Sequence, residues 1–408
     1  MISLPKTTDF LVIGGGVMGV TLALNLKNRF TDSSVTLIEK EEKFGMHASG
    51  RNSGVLHAGF YYTADSLKAR FTREGNRAWT KYCQEKELAI NQCGKLVVAK
   101  NGAEVRELKK LHLRGIKNDV DVELISASEA IEIEPRAKTI QQALFSPTTS
   151  SVNPSELMRS IVKDAEDAGI RMIPDVTYLD QTNNTIRTNK GSIQCGYIVN
   201  TAGLYADRIA KDFGYSEHYT MLPFKGLYLH SAEPAGSFNT HIYPVPDLNN
   251  PFLGVHVTVS ADQTVHIGPT AIPALWRENY HGLANFKLEE LVGISKQEVA
   301  LLIRNDFDFR RLALSEIQKY RKNKMVDLAS ELATGITPEN FKTWGKPGIR
   351  AQLLDTQKRT LVNDFLFEGD NRSFHLLNAV SPAFTCALPF SSWLGGKIQE
   401  LINKSLRH

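Results

Sequence analysis

The sequence predicts a mixed α/β fold with one sheet of largely parallel strands and a second, antiparallel one. Three observations carry this. Phe10–Ile13 is a short apolar run that reads as a buried strand, and Val17–Leu26 follows with apolar residues at helical spacing. A strand–glycine–helix junction recurs at Tyr197–Ala210 and a strand–loop–helix junction at Asn378–Thr385, as expected where parallel strands feed crossover helices. Between Thr220 and Tyr280, short alternating runs bounded by Pro, Gly and Asn suggest antiparallel strands.

The first junction is the most informative. Gly14, Gly16 and Gly19 stand in G-x-G-x-x-G register after the strand, and Val35–Ile38 forms a second strand ending in Glu39. Gly14 permits the tight turn, Gly16 lets backbone approach a pyrophosphate, and Gly19 lets helix and strand pack closely. The amides at the helix start, Val17 and Met18 among them, stabilise phosphate charge. The Glu39 carboxylate suits a ribose, with Lys40 beside it. This order of parts predicts a Rossmann-like dinucleotide site and leaves NAD or FAD open.

Lys40–Phe71 is rich in Gly, Ser, Asn and His and has no clear period before Asp65. A long irregular segment directly after the ribose acid is usually functional. Its small residues and donors (Ser49, Arg51, Asn52 and Ser53) suit a chain lying along an extended cofactor, which favours FAD. The alternative is a surface loop, against which Val55, Leu56, Phe60 and Tyr61 weigh.

Helices are expected over Asp65–Glu87, Ala103–Lys117, a short turn from Ser128 to before Pro135, Pro154–Ala168 and Phe286–Lys324. Strands are expected at Lys95–Ala99, Ala143–Ser146, Arg171–Ile173, Val176–Asp180, Ile186–Thr188, Ile193–Asn200, Phe365–Phe367 and Phe374–Leu377. At Thr201–Gly203 the second junction has only Ala202-Gly203, too little for a second dinucleotide but enough for close approach to a cofactor held elsewhere. The third, Ser381-Pro382-Ala383-Phe384-Thr385, opens a helix whose N–H groups can face an electron-rich ring edge. The expected organisation is a discontinuous cofactor domain (1–83, 145–214, 341–408) and a substrate domain (84–144, 215–340).

The 408 residues carry a formal net charge of +4 and no basic run with interleaved aromatics, which argues against nucleic acid. The four cysteines form no C-x-x-C pair and read as reduced thiols. No metal-ligand spacing, G-x-S-x-G or P-loop stands out, so no metal is expected. No signal peptide fits the start and no run of 18 uncharged apolar residues occurs. The expected location is cytoplasmic, with peripheral contact at the inner face of a membrane an open alternative. For that, Arg304–Lys324 offers basic and apolar residues; the other reading of it is a packed amphipathic helix with a solvated basic side.

At SGRNSGVLHAGFYY (49–62) the sequence resembles the L-2-hydroxyglutarate oxidase/dehydrogenase family, within the D-amino-acid oxidase and glycine oxidase superfamily. The resemblance recurs in order at ADSLKAR (64–70), CGKLVVA (93–99), NTAGLYAD (200–207), LPFKGLY (222–228), YPVPD (243–247), FLGVH (252–256), GIRAQ (348–352) and NAVSPAFT (378–385). It implies an FAD-binding domain of the glutathione-reductase/D-amino-acid-oxidase type and oxidation of a 2-hydroxy acid to a 2-oxo acid, with a quinone or oxygen taking the electrons. It also implies backbone pairing of Val176 with adenine. Two stretches depart from the family pattern: Thr270 stands where Asn is usual, and CALPFSSWLGG after Thr385 is bulkier than usual.

That chemistry needs a base for the hydroxyl proton, a cation for the carboxylate and a flavin to accept the hydride. His57 is the first candidate base and His256 the second, because imidazole titrates near neutral pH. Arg350 is the candidate carboxylate partner, since its guanidinium fork matches a carboxylate. Tyr61, Lys225 and Tyr243 are candidate substrate contacts. For each, the alternative is a structural hydrogen bond or ion pair. His47 sits where some relatives attach flavin covalently, and non-covalent FAD is expected here. Rival functions are an amine oxidase of the glycine or sarcosine oxidase type, a non-catalytic FAD-binding protein, and a plain NAD dehydrogenase.

Overall fold

The computed structural model describes residues 3–247 and 252–405. The chain forms two compact units, one from 1–50, 154–221 and 351–408, the other from 51–153 and 222–350. Residues 51–83, expected with the cofactor segments, fall in the second unit. This stretch is bonded to residues of the second unit: the Asn118 amide donates to the Gly59 carbonyl at 3.0 Å and to the Tyr62 carbonyl at 2.9 Å, and Ala58 and Phe60 enter a core with Val97, Leu108 and Leu111.

The first unit is organised around strand Thr7–Ile13, whose last four residues are buried. It pairs in parallel with Val35–Ile38 on one side and Gly191–Asn200 on the other. Arg171–Ile173 extends the sheet beyond Val35–Ile38, and Ser373–Asn378 pairs in parallel with the end of Gly191–Asn200. The expected strand at Val176–Asp180 begins later, at Tyr178, because the Val176 N–H is drawn to the Glu39 carbonyl at 2.8 Å.

Helix Val17–Arg29 packs against the C-terminal helix Ala383–Ser405. Inside that contact the Thr21 and Ser391 hydroxyls share a hydrogen bond of 2.7 Å, and Arg29 donates to the Ser392 carbonyl at 3.0 Å. Helix Pro154–Asp167 ends where Gly169, at φ 78°, lets the Ile170 N–H return to the Ala165 carbonyl.

The second unit holds a sheet running, by strand, Phe341–Trp344, Leu229–Ser231, Val265–Gly268, His256–Val259, His241–Pro244, Lys95–Val98, Gln142–Ser146 and Glu123–Ser126. The expected antiparallel pattern holds except at one place: His241–Pro244 runs parallel to Lys95–Val98, with His241 opposite Lys95. Side chains alternate across the pleat. Leu96, Val98, Ile242, Val257, Val259 and Ile267 enter a core closed by Met325, Val326 and Ala329 of helix Lys322–Ser330. Lys95, Val97, His241, Tyr243, His256 and Thr258 therefore point to the other face.

Two helical expectations are refined. The long helix is Leu67–Glu85, started by the Ser66 hydroxyl, which accepts the Ala69 N–H at 3.1 Å. Phe286–Lys324 is not one helix but Leu288–Arg304, Phe309–Ile317 and the start of Lys322–Ser330. Asn305, Phe307 and Asp308 all take left-handed φ values between the first two.

Gly14 has φ 109°, and a Cβ there would stand 2.7 Å from the Thr201 carbonyl oxygen. Gly14→Ala is expected to cost about 1–3 kcal/mol of stability from backbone strain and contact. Thermal unfolding of the variant against the parent measures it.

Candidate active site

In the first unit the glycine turn is held by a carboxylate. Glu39 is buried, and its two oxygens accept the Gly15 N–H at 2.7 Å and the Glu41 N–H at 2.9 Å. A carboxylate oxygen has two lone pairs, so each retains acceptor capacity toward a ribose hydroxyl. Gly45 donates its N–H to the Gly15 carbonyl at 3.0 Å, tying the following loop to the turn. Ser49 reaches the same place: its hydroxyl accepts the Val17 N–H at 2.8 Å. Gly16 is the N-cap of helix Val17–Arg29, and a Cβ on it would lie 3.0 Å from Ser49 Oγ. Met18 and Gly19 complete the first turn.

These features fit a dinucleotide: a side-chain-free turn, a helix N-terminus and a buried ribose acceptor stand together. Val176 gives its N–H to Glu39, so a backbone contact to adenine would run through its carbonyl. Lys40 forms an ion pair with Glu41. His47 Nε2 lies 2.8 Å from Glu41, whose carboxyl it holds down at about 2.

The other two junctions belong to the same unit. The Thr201 hydroxyl donates to the Ile13 carbonyl at 3.1 Å, and Ala202 N–H donates to Asn200 Oδ1 at 3.1 Å. Gly203, at φ 54°, opens a short 3-10 turn. Asn378 braces the third junction by donating to the Val362 and Asp364 carbonyls. The chain then passes Ser381 and Pro382, and Ala383, Phe384 and Thr385 form the first turn of the last helix.

In the second unit Arg51, Asn52 and Ser53 lead into the strand at Val55. The Arg51 guanidinium lies 4.4 Å over the Tyr280 ring and donates to the Pro347 carbonyl. Asn52 accepts the Gly54 N–H at 2.9 Å, and Ser53 bonds the Tyr228 hydroxyl.

The polar face of the large sheet brings the substrate-side candidates together. Tyr243 stacks on His256 with ring centroids 3.7 Å apart. The His256 Nδ1 lies 2.8 Å from the Gly254 carbonyl. A carbonyl only accepts, so Nδ1 carries the proton and Nε2 of the neutral ring offers its lone pair. Burial, then the charges of Lys95 and Arg350, hold His256 and His57 well below the ordinary imidazole range. Both rings are therefore neutral at pH 7. The Arg350 guanidinium lies 5.2 Å from the centre of the Phe252 ring. The Tyr61 hydroxyl is buried without a hydrogen-bond partner, which suits a polar ligand. Lys225, on strand Tyr219–Gly226, enters none of these contacts; burial lowers its ammonium.

Sequence reasoning missed Lys95. It is fully buried, stands 3.2 Å from His57 Nδ1, and lies 4.2 Å over the Tyr243 ring. Loss of solvent lowers it to about 7. Its titratable neighbours are His57, His241, His256, Cys93 and the phenols of Tyr61 and Tyr243. When Lys95 is charged it donates to His57 Nδ1, leaving the proton on Nε2. The one available signal was a lysine opening the apolar run KLVVA.

The FAD dependent oxidoreductase (DAO) family profile matches residues 9–389, and the chain belongs to this family. Two relatives are named L-2-hydroxyglutarate dehydrogenase. That of Escherichia coli (strain K12) is 32% identical over 401 residues, covering 97% of this chain and 94% of its own. The mitochondrial one of Bos taurus is 33% identical over 417 residues, covering 96% and 89%. In fold, the chain is similar to L-alpha-glycerophosphate oxidase from Mycoplasma pneumoniae with FAD bound (TM-score 0.73, 20% identity, 98% and 95% of the two chains). Glycine oxidase from Geobacillus kaustophilus gives a TM-score of 0.71 at 17% identity, over 98% and 95%. The cofactor is FAD.

Lys95→Met tests the uncompensated lysine through stability. With its native value depressed, the unfolded chain binds more protons between about pH 7 and 10.5, so stability rises with pH across that window. The burial penalty is fully present below pH 7. Lys95→Met should raise the melting temperature at pH 7 by at least ~2 °C, and the gain should shrink toward pH 10.

Proposed function

We propose that the protein oxidises the hydroxyl carbon of a 2-hydroxy acid, with L-2-hydroxyglutarate yielding 2-oxoglutarate as the foremost candidate. The observation that carries this is a buried cluster in which His256, its tautomer fixed by Gly254, stacks on Tyr243, with Lys95 over the same ring and 3.2 Å from His57. The relatives' shared name supports the choice of substrate. Electrons would leave to a quinone or to oxygen.

Bound FAD supplies the two-electron acceptor. Gly14, Gly16, Val17, Met18, Gly19, Glu39 and Lys40 would hold its nucleotide half. Ser49, Arg51–Ser53, Val176, Ala202, Gly203 and Ser381–Thr385 would complete its contacts. Arg350 would fix the 2-carboxylate bidentately. His256 Nε2 takes the hydroxyl proton; its lone pair is available because Gly254 anchors the other ring nitrogen. His57, first in sequence order of preference, becomes a hydrogen-bond donor through Nε2 whenever Lys95 is charged. Lys95 is a positioning residue acting through His57. Tyr61 and Tyr243 would offer hydroxyls to the substrate. Lys225 is kept as a candidate for a distal carboxylate.

Anaerobic mixing of the yellow holoenzyme with L-2-hydroxyglutarate should bleach the flavin within the mixing experiment. Flavin that stays oxidised with this acid but is bleached by glycine or sarcosine would establish the amine-oxidase reading. Flavin that no reductant of either class bleaches would indicate a non-catalytic FAD protein. His256→Gln should slow bleaching by roughly 10²–10⁴-fold with FAD retained; an unchanged rate returns the base to His57. Arg350→Lys should raise the substrate concentration for half-maximal bleaching by at least ~10-fold, because a bidentate contact is lost.

A further inference from the structure

Two cations of the second unit stand without a carboxylate. Lys95 is fully buried, beside an apolar core that takes in Ala58, Phe60 and Val97. The titratable groups that face it are His57, His241, His256, Cys93 and the phenols of Tyr61 and Tyr243, and none of these is negatively charged at pH 7. Arg350 acts on the same pair of imidazoles: its charge and that of Lys95 both lower His57 and His256. Among the described residues neither cation forms an ion pair with an Asp or Glu. A lysine kept in an apolar core without a counter-charge costs stability, and methionine fills such a place without that cost. Packing alone therefore does not call for this lysine.

What the lysine does is set by its distance of 3.2 Å from His57 Nδ1. An ammonium only donates, so Nδ1 accepts and Nε2 carries the ring proton. His57 then presents a donor at its other nitrogen, with the charge of Lys95 behind it. The Tyr61 hydroxyl, buried and without a partner, is a second donor near the same ammonium, which lies 5.4 Å from the centre of the Tyr61 ring. Buried donors backed by positive charge suit an anion, because charge-assisted hydrogen bonds are the strong ones. His256 has the opposite polarity. Its Nδ1 proton is committed to the Gly254 carbonyl, so its Nε2 offers a lone pair, which suits a hydroxyl and repels a carboxylate.

Two cations ask for two anionic groups. A 2-hydroxy acid with one carboxylate satisfies Arg350 and leaves Lys95 uncompensated, whereas a 2-hydroxy dicarboxylate satisfies both. Lys225 shares none of the contacts around Lys95 and His57. Resting on the 2-hydroxy-acid reading, we infer that Lys95 and His57 select a dicarboxylate: Lys95 holds the His57 proton on Nε2, and that N–H, joined by the Tyr61 hydroxyl, binds the distal carboxylate of the substrate. Lys95 acts through His57 and is a positioning residue. It sets the choice of substrate, while His256 takes the hydroxyl proton.

The test compares anaerobic bleaching of the holoenzyme by L-2-hydroxyglutarate and by its 5-amide, which keeps the length and removes the distal charge. The parent should need at least ~10-fold more of the amide for half-maximal bleaching. Lys95→Met should raise the half-maximal concentration of L-2-hydroxyglutarate at least ~10-fold and leave that of the amide nearly unchanged, with flavin content retained. His57→Gln, which also offers Lys95 an acceptor and the ligand an N–H, should keep more of the preference than His57→Ala. In the parent the preference should fall as pH rises from about 6 to about 9, because Lys95, lowered to about 7, loses its charge across that window while the distal carboxylate stays ionised. A lysine with a merely structural role would not produce that profile. Flavin that neither acid bleaches would overturn the 2-hydroxy-acid reading and this inference with it. Bleaching by both acids with the preference unchanged in Lys95→Met, or lost in Lys225→Met alone, would overturn the inference and leave that reading standing. So would a preference in the parent that stays flat with pH.

Discussion

Much of the first unit depends on how closely two strand ends can approach. The Thr201 N–H donates to the Ile13 carbonyl at 2.9 Å, and the Thr201 hydroxyl reaches the Ile13 and Gly14 carbonyls. The side-chain-free Gly14 makes room for the Thr201 carbonyl. The first junction thus abuts the second, and Glu39 ties the same turn to the end of the next strand. Three chain segments far apart in sequence converge on one short stretch of backbone. A cofactor laid on that backbone meets amides and glycines where bulky side chains would otherwise stand.

The second unit uses the pleat in a different way. Alternation along Lys95–Val98, His241–Pro244 and His256–Val259 sends every second residue into one apolar core and the rest to the opposite face, where Lys95, His241 and His256 stand beside a second core that takes in Val97 and Tyr243. The buried lysine is costly to keep there, and no carboxylate stands among its named contacts. Its neighbours are aromatic rings and neutral imidazoles instead. His241 fits this arrangement. Its Nδ1 accepts the Val259 N–H at 3.1 Å, so its proton sits on Nε2 and faces Ser151 and Cys93. The site thus keeps neutral imidazoles with defined lone pairs beside a cation, an arrangement suited to moving a proton from a hydroxyl.

The helices after residue 283 follow a third logic, in which glutamates fasten helices to backbone amides of the adjoining loop. The left-handed residues Asn305, Phe307 and Asp308 redirect the chain there, so that Arg310 can cap the carbonyl end of the preceding helix.

The sequence by itself determined the local parts: the glycine turn, its two flanking strands, the ribose acid, and the three strand–helix junctions. These depend on residues close in the chain, where periodicity and backbone freedom leave few alternatives. It also marked His57, His256, Tyr243 and Arg350, through runs similar to a known family. Only the tertiary structure decided what lies beside them. The parallel pairing of His241 with Lys95 joins residues 146 positions apart, and no local pattern encodes it. That pairing is what turns the first residue of an apolar strand into a buried cation beside His57. Likewise 286–324 reads as one helix in sequence, and its division appears only in the structure, where Asn305, Phe307 and Asp308 take left-handed φ values. Partners distant in sequence set burial, and burial sets which nitrogen holds a proton and which face meets the outside.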